Sequence, residues 1–590
     1  MHLRYHLTLF LFITLGSLFA TTYYIDASGG SNANDGLSPA TAWEDLANIR
    51  NVAQQGGDRF LFKRGGRWDG AMLYVTSSGT ANAPITYGAY GTGARPIISV
   101  TGDLPGTSDP ANWQPGPNGS WYISQNRSPG RLFLDGVEVL RSNTLATLNV
   151  ADNVGATGVW YYDSNTKRLY LVSGANPAST FSSVAGSILP DALQIFLAEN
   201  LVFTDLDLRG GFLGAIRFLG GNNIRVANCN IGLNARNGVA LVGDTMRTCR
   251  NITIEDNFIY SGFDFFYGEG SDRGVGDGVL LITGVTNTTI RNNTIQDWTH
   301  NGVELLGNCG VCEGVNGNRV MGNTISAANV PYGHPLGADG LLDKCRDNEM
   351  AYNVATDCRT STQLNGNHNW YHHNTFARQR NSPTNLNQGT SAGIVLAIYG
   401  LGLVCENNRY EHNVVHDLDE SGFLIRNYGL PGTIQGNVIR NNILSATGRA
   451  PFNNDYPTGT GIHLYPSSGV GVNTIQHNLY FDPAGSGVAV YDHDAATAFT
   501  SDEFNASDGA GGAYTDNLTG DPAFVSAANT NFRLTRNSTA INRGQLIPDL
   551  TIDLDGNPIP VGEGTDIGAF EFQCSSPKLD CGGFPWDGGR

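Results

Sequence analysis

Three segments decide the fold: TIRNNTI at residues 289–295, RVMGNTI at 319–325 and EMAYNVA at 349–355. Each alternates apolar with polar residues, which is the period of a β-strand, and each has an Asn 30 residues after the previous one. The pattern continues at steps of 21 to 39 residues, with its Asn at positions 257, 293, 323, 353, 374, 413, 442 and 478 and with Cys229 in the same place. Such a repeat predicts one structural unit per step, as in a solenoid.

A second strand in each unit starts with a turn residue followed by Gly, as in NGVALVG from Asn237, DGVLLITG from Asp277, NGVELLG from Asn301 and DGLLDK from Asp339. Asn or Asp before Gly marks a turn into a strand. The variable step length argues against a propeller, and the dense leucine frame of leucine-rich repeats is missing. We therefore predict an all-β fold, a right-handed parallel β-helix whose Asn side chains stack from coil to coil.

The sequence divides into five regions: a signal peptide at 1–20, a cap and first coils at 21–103, a β-rich insertion at 104–195, the parallel β-helix at 196–572 and a tail at 573–590. The first region has a basic start and the apolar run LTLFLFITLGSLFA, the layout of a secretory leader. In the second, an amphipathic helix is predicted over TAWEDLANIRNVAQQ with Thr41 as its N-cap, covering the open end of the solenoid. The insertion lacks the repeat, and its aromatic residues are predicted to form a small core of their own, or else to contact a glycan.

The net charge and the cysteine content limit the classes of partner and the cellular location that the protein can have. The formal net charge of −18 argues against nucleic acid as a partner, and it repels a polyanionic substrate unless a cation or a basic cluster intervenes. No stretch after the leader is apolar enough to span a membrane, so we predict a secreted, monomeric protein. The nine Cys favour disulfides in an exported chain, with Cys309–Cys312 stapling a loop, Cys574–Cys581 pinning the tail and at least one thiol left over.

Both ends of the chain resemble a known family. YYIDASGGSNANDGLSPATAW, GGDRFLFKRGGRW and GTANAPITYGAYGTGARPIIS, near the start, are similar to the entry segment of secreted β-helix proteins of the pectate-lyase-like superfamily. DPAFVSAANTNFRLTRNSTAINRG and DIGAFEF, near the end, are similar to the last coils of those proteins. The resemblance implies the parallel β-helix fold and leaves the substrate open, because one fold serves many functions.

Three successive second strands carry unusual polar residues. Aligned at their Gly, these strands place Glu304 and Lys344 on the outward faces of neighbouring coils, with Asp277 one coil to the other side and His300 in the turn before Glu304. Adjacent coils are about 4.8 Å apart, and two residues along a strand span about 7 Å, so long side chains can meet. A plain surface ion pair between Glu304 and Lys344 is one interpretation. The number of charged groups nearby favours a functional site.

The chemistry that suits this array is β-elimination on a uronic acid, with a polysaccharide, and an acidic one, as the predicted substrate. The reaction needs the substrate carboxylate neutralised, and the predicted Ca²⁺ ligands are Asp277, Asn301 and Glu304. Lys344 is the predicted base, provided that neighbouring positive charge lowers its pKa. The residues predicted to bind substrate are His300, Arg346, Arg359 and His368.

This arrangement resembles polysaccharide lyase family 9, in which an Asp and a following acidic motif hold calcium and a Lys on a later coil is the base. The resemblance matches Asp277 to the first Asp, THNGVEL (299–305) to the acidic motif and Lys344 to the base. The family motif is rich in acids, whereas here His300 and Asn301 stand in its place.

Two further functions stay open. An inverting glycoside hydrolase needs two carboxyl groups about 6.5–9.5 Å apart, and Glu304 with Asp339 or Asp343 would supply them, leaving Lys344 to bind substrate. A non-catalytic glycan-binding or surface protein would use the β-helix only as a rod.

Overall fold

The computed structural model describes residues 20–142, 144–150, 158–260, 276–327, 334–340, 343–359, 362–381, 392–466, 469–507 and 514–573. Residues 1–19 of the predicted leader and the predicted Cys574–Cys581 bridge lie outside these ranges. Within them, the predicted all-β architecture is confirmed: successive coils stack into a right-handed parallel β-helix. No described helix is long and apolar enough to cross a membrane.

Each coil contributes strands to a large and a small parallel sheet. The described strands of the large sheet are Thr22–Ile25, Arg59–Lys63, Leu73–Val75, Ile85–Tyr90, Asp191–Thr204, Gly214–Ala227, Asn237–Val242, Cys249–Glu255, Val279–Ile282, Val285–Thr286, Thr289–Arg291, Asn301–Gly307, Val315–Asn316, Arg319–Met321, His334–Gly340, Cys345–Arg346, Glu349–Ala351, Thr362–Leu364, Gly366–Asn367, Trp370–His372, Ile394–Ile398, Cys405–Glu406, Arg409–Glu411, Phe423–Asn427, Ile434–Gln435, Val438–Arg440, Ile462–Leu464, Thr474–Gln476, Val490–Asp492, Thr497–Phe499 and Tyr514–Thr515. Those of the small sheet are Arg67–Asp69, Ile97–Ser99, Asp207–Arg209, Asn230–Gly232, Phe258–Tyr260, Thr294–Gln296, Thr324–Ser326, Val354–Thr356, Thr375–Ala377, Val414–His416, Ile443–Ser445, Leu479–Phe481 and Leu518–Thr519.

The core runs along the axis between these sheets. Val279, Val303 and Leu336 lie in register on successive coils of the large sheet and are fully buried. Each such side chain stabilises the fold by roughly 1.5–3 kcal/mol through the apolar surface it removes from water. The residues between them point outward, so the outer face of each sheet is free to carry functional groups.

The predicted Asn ladder is confirmed and extends by one coil to Asn517. At each step a buried Asn accepts from the backbone N–H and the side-chain amide of the Asn one coil earlier, as Asn353 does from Asn323 at 3.0 and 2.9 Å. Cys229 begins the series, because its backbone N–H donates to Asn257 at 2.9 Å. A second buried ladder, which the sequence analysis did not identify, links Thr288 and Asn residues 318, 348, 369, 408, 437 and 473.

The Gly of the second motif marks a crowded corner. A Cβ on Gly278 would lie 2.4 Å from the carbonyl oxygen of Gly302, and one on Gly302 would lie 2.6 Å from that of Pro335. Any side chain would clash there, because the backbones of adjacent coils approach closely. In the next coil Pro335 lies opposite Gly302, between the register pairs Asn301–His334 and Val303–Leu336.

The predicted N-terminal helix is wrong in extent. The α-helix there spans only Ala47–Asn51, and Ser38 caps a separate 3₁₀-helix, Pro39–Thr41. Between them the backbone of Trp43 pairs with Ile25 of the first coil, and its ring stacks on Tyr23 at 4.9 Å. This tertiary contact holds the chain extended where its pattern favours a helix. The other described helices are the α-helices Pro177–Thr180 and Ser501–Ala506 and the 3₁₀-helices Pro110–Asn112, Phe452–Asn454 and Ala527–Asn529.

The insertion consists of two antiparallel sheets with an aromatic core that includes Trp113 and Trp160. One sheet has the strands Val137–Val139, Leu132–Leu134, Val184–Ser187 and Thr101–Asp103, and the other Trp160–Asp163, Arg168–Val172, Ser120–Ser124 and Gln114–Pro115. A two-stranded sheet, Phe524–Ser526 with Asn531–Leu534, follows the last coil. The predicted Cys309–Cys312 disulfide forms, and the described thiols of Cys229, Cys249, Cys345, Cys358 and Cys405 are free and buried.

Candidate functional site

Glu304 is an outward-facing residue that is nevertheless buried. It lies on the strand Asn301–Gly307 between the core residues Val303 and Leu305, and only 7% of it is exposed. Its neighbours in register on the coils before and after are Leu280 and Gly337. Burial and the nearby carboxylates raise the pKa of Glu304 to about 7, so the carboxyl group is partly protonated at neutral pH.

Three titratable side chains meet at the start of this strand. The imidazole Nδ1 of His300 lies 2.9 Å from Asp277 Oδ1 and 3.2 Å from Glu304 Oε2. Asp277 Oδ1 also accepts from the backbone N–H of Asn301 at 3.0 Å, which fixes this carboxylate at the corner between coils. Burial lowers the pKa of His300, but the Asp277 and Glu304 carboxylates outweigh it and raise the pKa well above its usual value. His300 is therefore an imidazolium held against two acids, a group we call the acid–histidine trio.

Asp339 provides a second buried acid one coil later. It faces outward from the strand His334–Gly340, in register with Leu306. Asn365 donates to its Oδ1 at 2.7 Å, and the Tyr399 hydroxyl donates to its Oδ2. Burial raises the pKa of Asp339, while these two hydrogen bonds act in the opposite direction. Burial beside Asp339 also raises the pKa of Tyr399, so its hydroxyl stays protonated and remains a donor.

The two acids are diagonal neighbours on one face. Glu304 is in register with Gly337, and Asp339 lies two residues further along the same strand. Coils about 4.8 Å apart and two residues of about 3.3 Å each put the two Cα atoms roughly 8 Å apart. The charge of Asp339 contributes to the raised pKa of Glu304. Two carboxyl groups carried by Cα atoms at this separation can lie about 5–9.5 Å apart, the range of glycosidase carboxyl pairs.

The register between these coils differs from the predicted one. Alignment at Gly paired Gly302 with Gly340, whereas the structure pairs Gly307 with Gly340 and Asn301 with His334. The predicted placement of Lys344 beside Glu304 is therefore wrong: Lys344 follows the end of the strand, and among the described residues no ion pair joins the two. The physical reason is the core: Leu336 and Ala338 are fully buried, in register with Val303 and Leu305.

Other predicted residues lie away from the trio. Asp343 is exposed in the turn after the strand, where it contacts Arg346 at 3.4 Å and accepts from Asn367 at 3.2 Å. Arg346 is also exposed and forms a second ion pair with Asp347. His368 is exposed in a left-handed turn after the strand Gly366–Asn367. Neither Asp343 nor Arg346 contacts Glu304 or Asp339 among the described ion pairs.

Arg359 is buried just before the strand Thr362–Leu364, four residues ahead of Gln363. Gln363 is in register with Gly337, which is in register with Glu304. Arg359 therefore precedes the strand that lies two coils after that of Glu304.

The predicted calcium site fits these residues poorly. Asp277, His300 and Glu304 offer ligand atoms within 4.8 Å of one another. Calcium takes six to eight oxygen ligands, whereas the group at the centre of the trio is an imidazole nitrogen. The raised pKa of His300 also makes the imidazolium the cation that balances both carboxylates. The imidazolium thus lies between the two carboxylates that were predicted to hold the ion.

Tyr399 and Asn365 are site residues that the sequence analysis missed. A signal existed for Tyr399, which follows Val395 and Ala397 at alternate positions of AGIVLAIYG and so faces outward. Asn365 directly follows the strand Thr362–Leu364, and its own Oδ1 accepts from the Ala397 N–H at 2.8 Å. That backbone bond makes Asn365 a fixed bridge between the next coil and Asp339.

Comparison with known proteins agrees with this architecture. Residues 277–504 match the family described as "Right handed beta helix region". A lacto-N-biosidase from Bifidobacterium longum subsp. longum is 24% identical over 319 residues, which cover 48% of this chain and 19% of that protein. The chain thus spans about a fifth of the length of this curated relative.

Solved structures include similar chains. The GH136 lacto-N-biosidase from Eubacterium ramulus aligns with 15% identity and a TM-score of 0.40 over 79% of this chain and 64% of that one. Pectate lyase Pel9A aligns with 12% identity and a TM-score of 0.43 over 94% and 96%.

Proposed function

We propose that the chain degrades glycans by hydrolysing a glycosidic bond, with Glu304 as the general acid and Asp339 as the second carboxylate. The observation that carries the proposal is the diagonal pair of buried acids on adjacent coils, each with its own set of partners. Such pairs of carboxyl groups with separately tuned pKa values are the machinery of glycosidases. The curated relative, a lacto-N-biosidase, supports the same reaction class.

The contacts of Glu304 and Asp339 indicate which catalytic role each acid has. Glu304, with a pKa of about 7, holds a proton that it can donate to the glycosidic oxygen as the bond breaks. The carboxylate left behind is stabilised by the His300 imidazolium at 3.2 Å. Asp339, oriented by Asn365 and Tyr399, acts as the general base: it accepts a proton from the water whose oxygen bonds to the anomeric carbon as the glycosidic oxygen departs.

A panel of neutral and uronic-acid-containing glycans tests the reaction class. Hydrolysis produces new reducing ends, and we expect these without absorbance in the ultraviolet band of unsaturated uronates. Because the proposed chemistry uses no metal ion, EDTA should leave the rate unchanged. An EDTA-sensitive rise in absorbance would instead support β-elimination, and the absence of both signals on a broad panel would support a non-catalytic rod.

Substitution of Lys344 by Ala separates the two reactions. We expect kcat to stay within about twofold of the wild-type value, because Lys344 follows the end of the strand and no described ion pair joins it to Glu304 or Asp339. If Lys344 were the base of an eliminase, the same change would remove the activity. The rate on the best substrate of the panel is the measurement, and a loss beyond about tenfold would contradict the hydrolytic assignment.

The pH profile tests the two acids. We expect kcat/KM to fall about tenfold per pH unit above pH 7, because Glu304 has a pKa of about 7 and must be protonated to act. On the acidic side the rate falls as Asp339 becomes protonated. The Tyr399 hydroxyl lowers the pKa of Asp339, so Tyr399→Phe should raise it and move the acidic limb to higher pH. If the native protein and Tyr399→Phe had the same acidic limb, or if the rate rose through pH 7–9, the roles proposed for Asp339 and Glu304 would be ruled out.

A further inference from the structure

A cavity of about 410 Å³ lies between the insertion and the outer face of the small sheet. It is separate from the acids of the proposed active site, which face outward from the large sheet. Its volume falls within the range of ligand pockets, about 300–1,000 Å³. We call it the insertion pocket and describe its two walls in turn.

One wall belongs to the β-helix. Asp69, Ser99 and Arg209 lie in register on three successive coils of the small sheet and line the pocket together. Arg67, two residues before Asp69, donates to it at 2.6 Å, and Arg209 donates to Asp207 at 2.6 Å. The wall therefore presents guanidinium donors and carboxylate acceptors side by side, each already held in place by an ion pair.

The other wall belongs to the insertion. Phe133, Ala185 and Asp103 lie in register across its first antiparallel sheet and also line the pocket. Leu132, next to Phe133, is part of the insertion core, so the Phe133 ring faces the opposite way, towards the pocket. Ala185 lies between Phe133 and Asp103, and its small side chain leaves the space that forms the insertion pocket. Asp103 is fixed by the Ser183 hydroxyl, which donates to it at 2.6 Å.

The residues that line the insertion pocket indicate which class of ligand it can bind. Two Arg and two Asp side chains border the pocket, and Asp207 behind Arg209 adds another negative charge. A polyanion would meet no net positive charge there. A sugar hydroxyl is both donor and acceptor, so it matches paired Arg and Asp groups, and the apolar face of a sugar ring matches an aromatic ring.

We propose that the insertion pocket binds a neutral sugar unit, which gives the protein a second glycan contact apart from Glu304 and Asp339. The proposal explains what the insertion adds to a fold whose coils are complete without it. It does not depend on the cleavage reaction. A glycan chain held in this pocket would keep the protein on a long or insoluble substrate between cleavage events.

Binding of neutral tetrasaccharides (cellotetraose, xylotetraose, mannotetraose and lacto-N-tetraose) tests the proposal by calorimetry on the full chain carrying Glu304→Gln, so that no ligand is consumed. Phe133→Ala and Asp69→Asn should each weaken binding of at least one of them by about tenfold, the loss expected for one hydrogen bond to a charged group or one ring contact. Asp555→Asn is the matched control, because Asp555 forms a similar exposed ion pair with Arg533 in the C-terminal region. Tetragalacturonate should not bind in a Phe133-dependent way.

The proposal is overturned if no neutral tetrasaccharide binds, if both pocket variants match the Asp555→Asn control, or if tetragalacturonate binding is the one lost. Hydrolysis by the chain with native Glu304 is measured separately, so a failure of the pocket and a failure of the proposed active site are told apart. Phe133 and Asp69 both lie outside the β-helix core, and circular dichroism checks that each variant is folded.

Discussion

Replacing Glu304 by Gln is expected to lower kcat by about 10²–10⁴-fold, the usual contribution of a general acid. Gln has the same shape, but its amide cannot donate a proton to a leaving oxygen. The other two members of the trio stay paired, because His300 keeps its 2.9 Å contact with Asp277. We therefore expect a folded protein with substrate affinity close to that of the native protein, and the loss should appear in kcat.

The substrate can show that the lost function is proton donation. An aryl glycoside with a strongly acidic phenol needs no protonation as it departs, so Glu304→Gln should slow it far less than a natural glycan. Glu313→Gln is the control, because Glu313 lies in the loop after the same strand and pairs with the exposed Arg250 at 2.7 Å. Equal losses on both substrates would contradict a general-acid role.

The fold could be predicted from sequence because its determinants are local and repeated. Each Asn of the ladder occupies the same position of a short alternating segment, so a step of about 30 residues is visible without any knowledge of pairing. The second ladder escaped notice although it is built in the same way. Its Asn residues, such as Asn318 and Asn348, follow strands of only two residues, too short for the alternation to be recognised.

The site was located to the correct coils but assembled with the wrong register. Asp339-Gly340 has the same letters as Asp277-Gly278, yet it lies at the end of its strand and not at the start. Sequence pattern cannot tell these positions apart, since the register is set by core packing, in which Leu336 and Ala338 lie opposite Val303 and Leu305 of the neighbouring coil. One consequence is that Asp339 meets Tyr399, a contact across 60 residues of sequence.

The charge balance within the acid–histidine trio could not be predicted from sequence pattern either. His300 and Asn301 stand where the polysaccharide lyase family 9 motif is rich in acids, and the sequence does not show what His300 contacts. In the structure, His300 lies within hydrogen-bonding distance of both Asp277 and Glu304, and its positive charge balances them. The residue that departs from the family motif is thus the one that pairs with both acids.

Loss of one interior Asn of the ladder should be the most damaging change to the fold. Asn353 accepts from the backbone and side chain of Asn323 at 3.0 and 2.9 Å, and it donates to Val320 O and Asn374 Oδ1, both at 2.9 Å. Asn353→Ala removes these four bonds. It takes the Asn353 acceptor from the Asn323 N–H and the Asn353 donor from the Val320 carbonyl, both in fully buried positions. At about 1–3 kcal/mol for each buried group left unsatisfied, we expect a loss of roughly 3–5 kcal/mol in the free energy of unfolding.

The coils that open in Asn353→Ala show whether the lost buried hydrogen bonds cause the destabilisation. Because coils contact only their neighbours, the loss should first appear as local opening, with faster hydrogen exchange at Asn323 and the adjacent strands than in distant coils. Asn222→Ala is the matched control, since Asn222 accepts from Asn251 at 2.9 Å in a similar coil-to-coil contact that is exposed to water. Water replaces the lost bond there, so we expect a change within about 0.5 kcal/mol. If Asn353→Ala and Asn222→Ala lowered the urea midpoint equally, the ladder would owe its stability to coil stacking alone and its buried hydrogen bonds would be incidental.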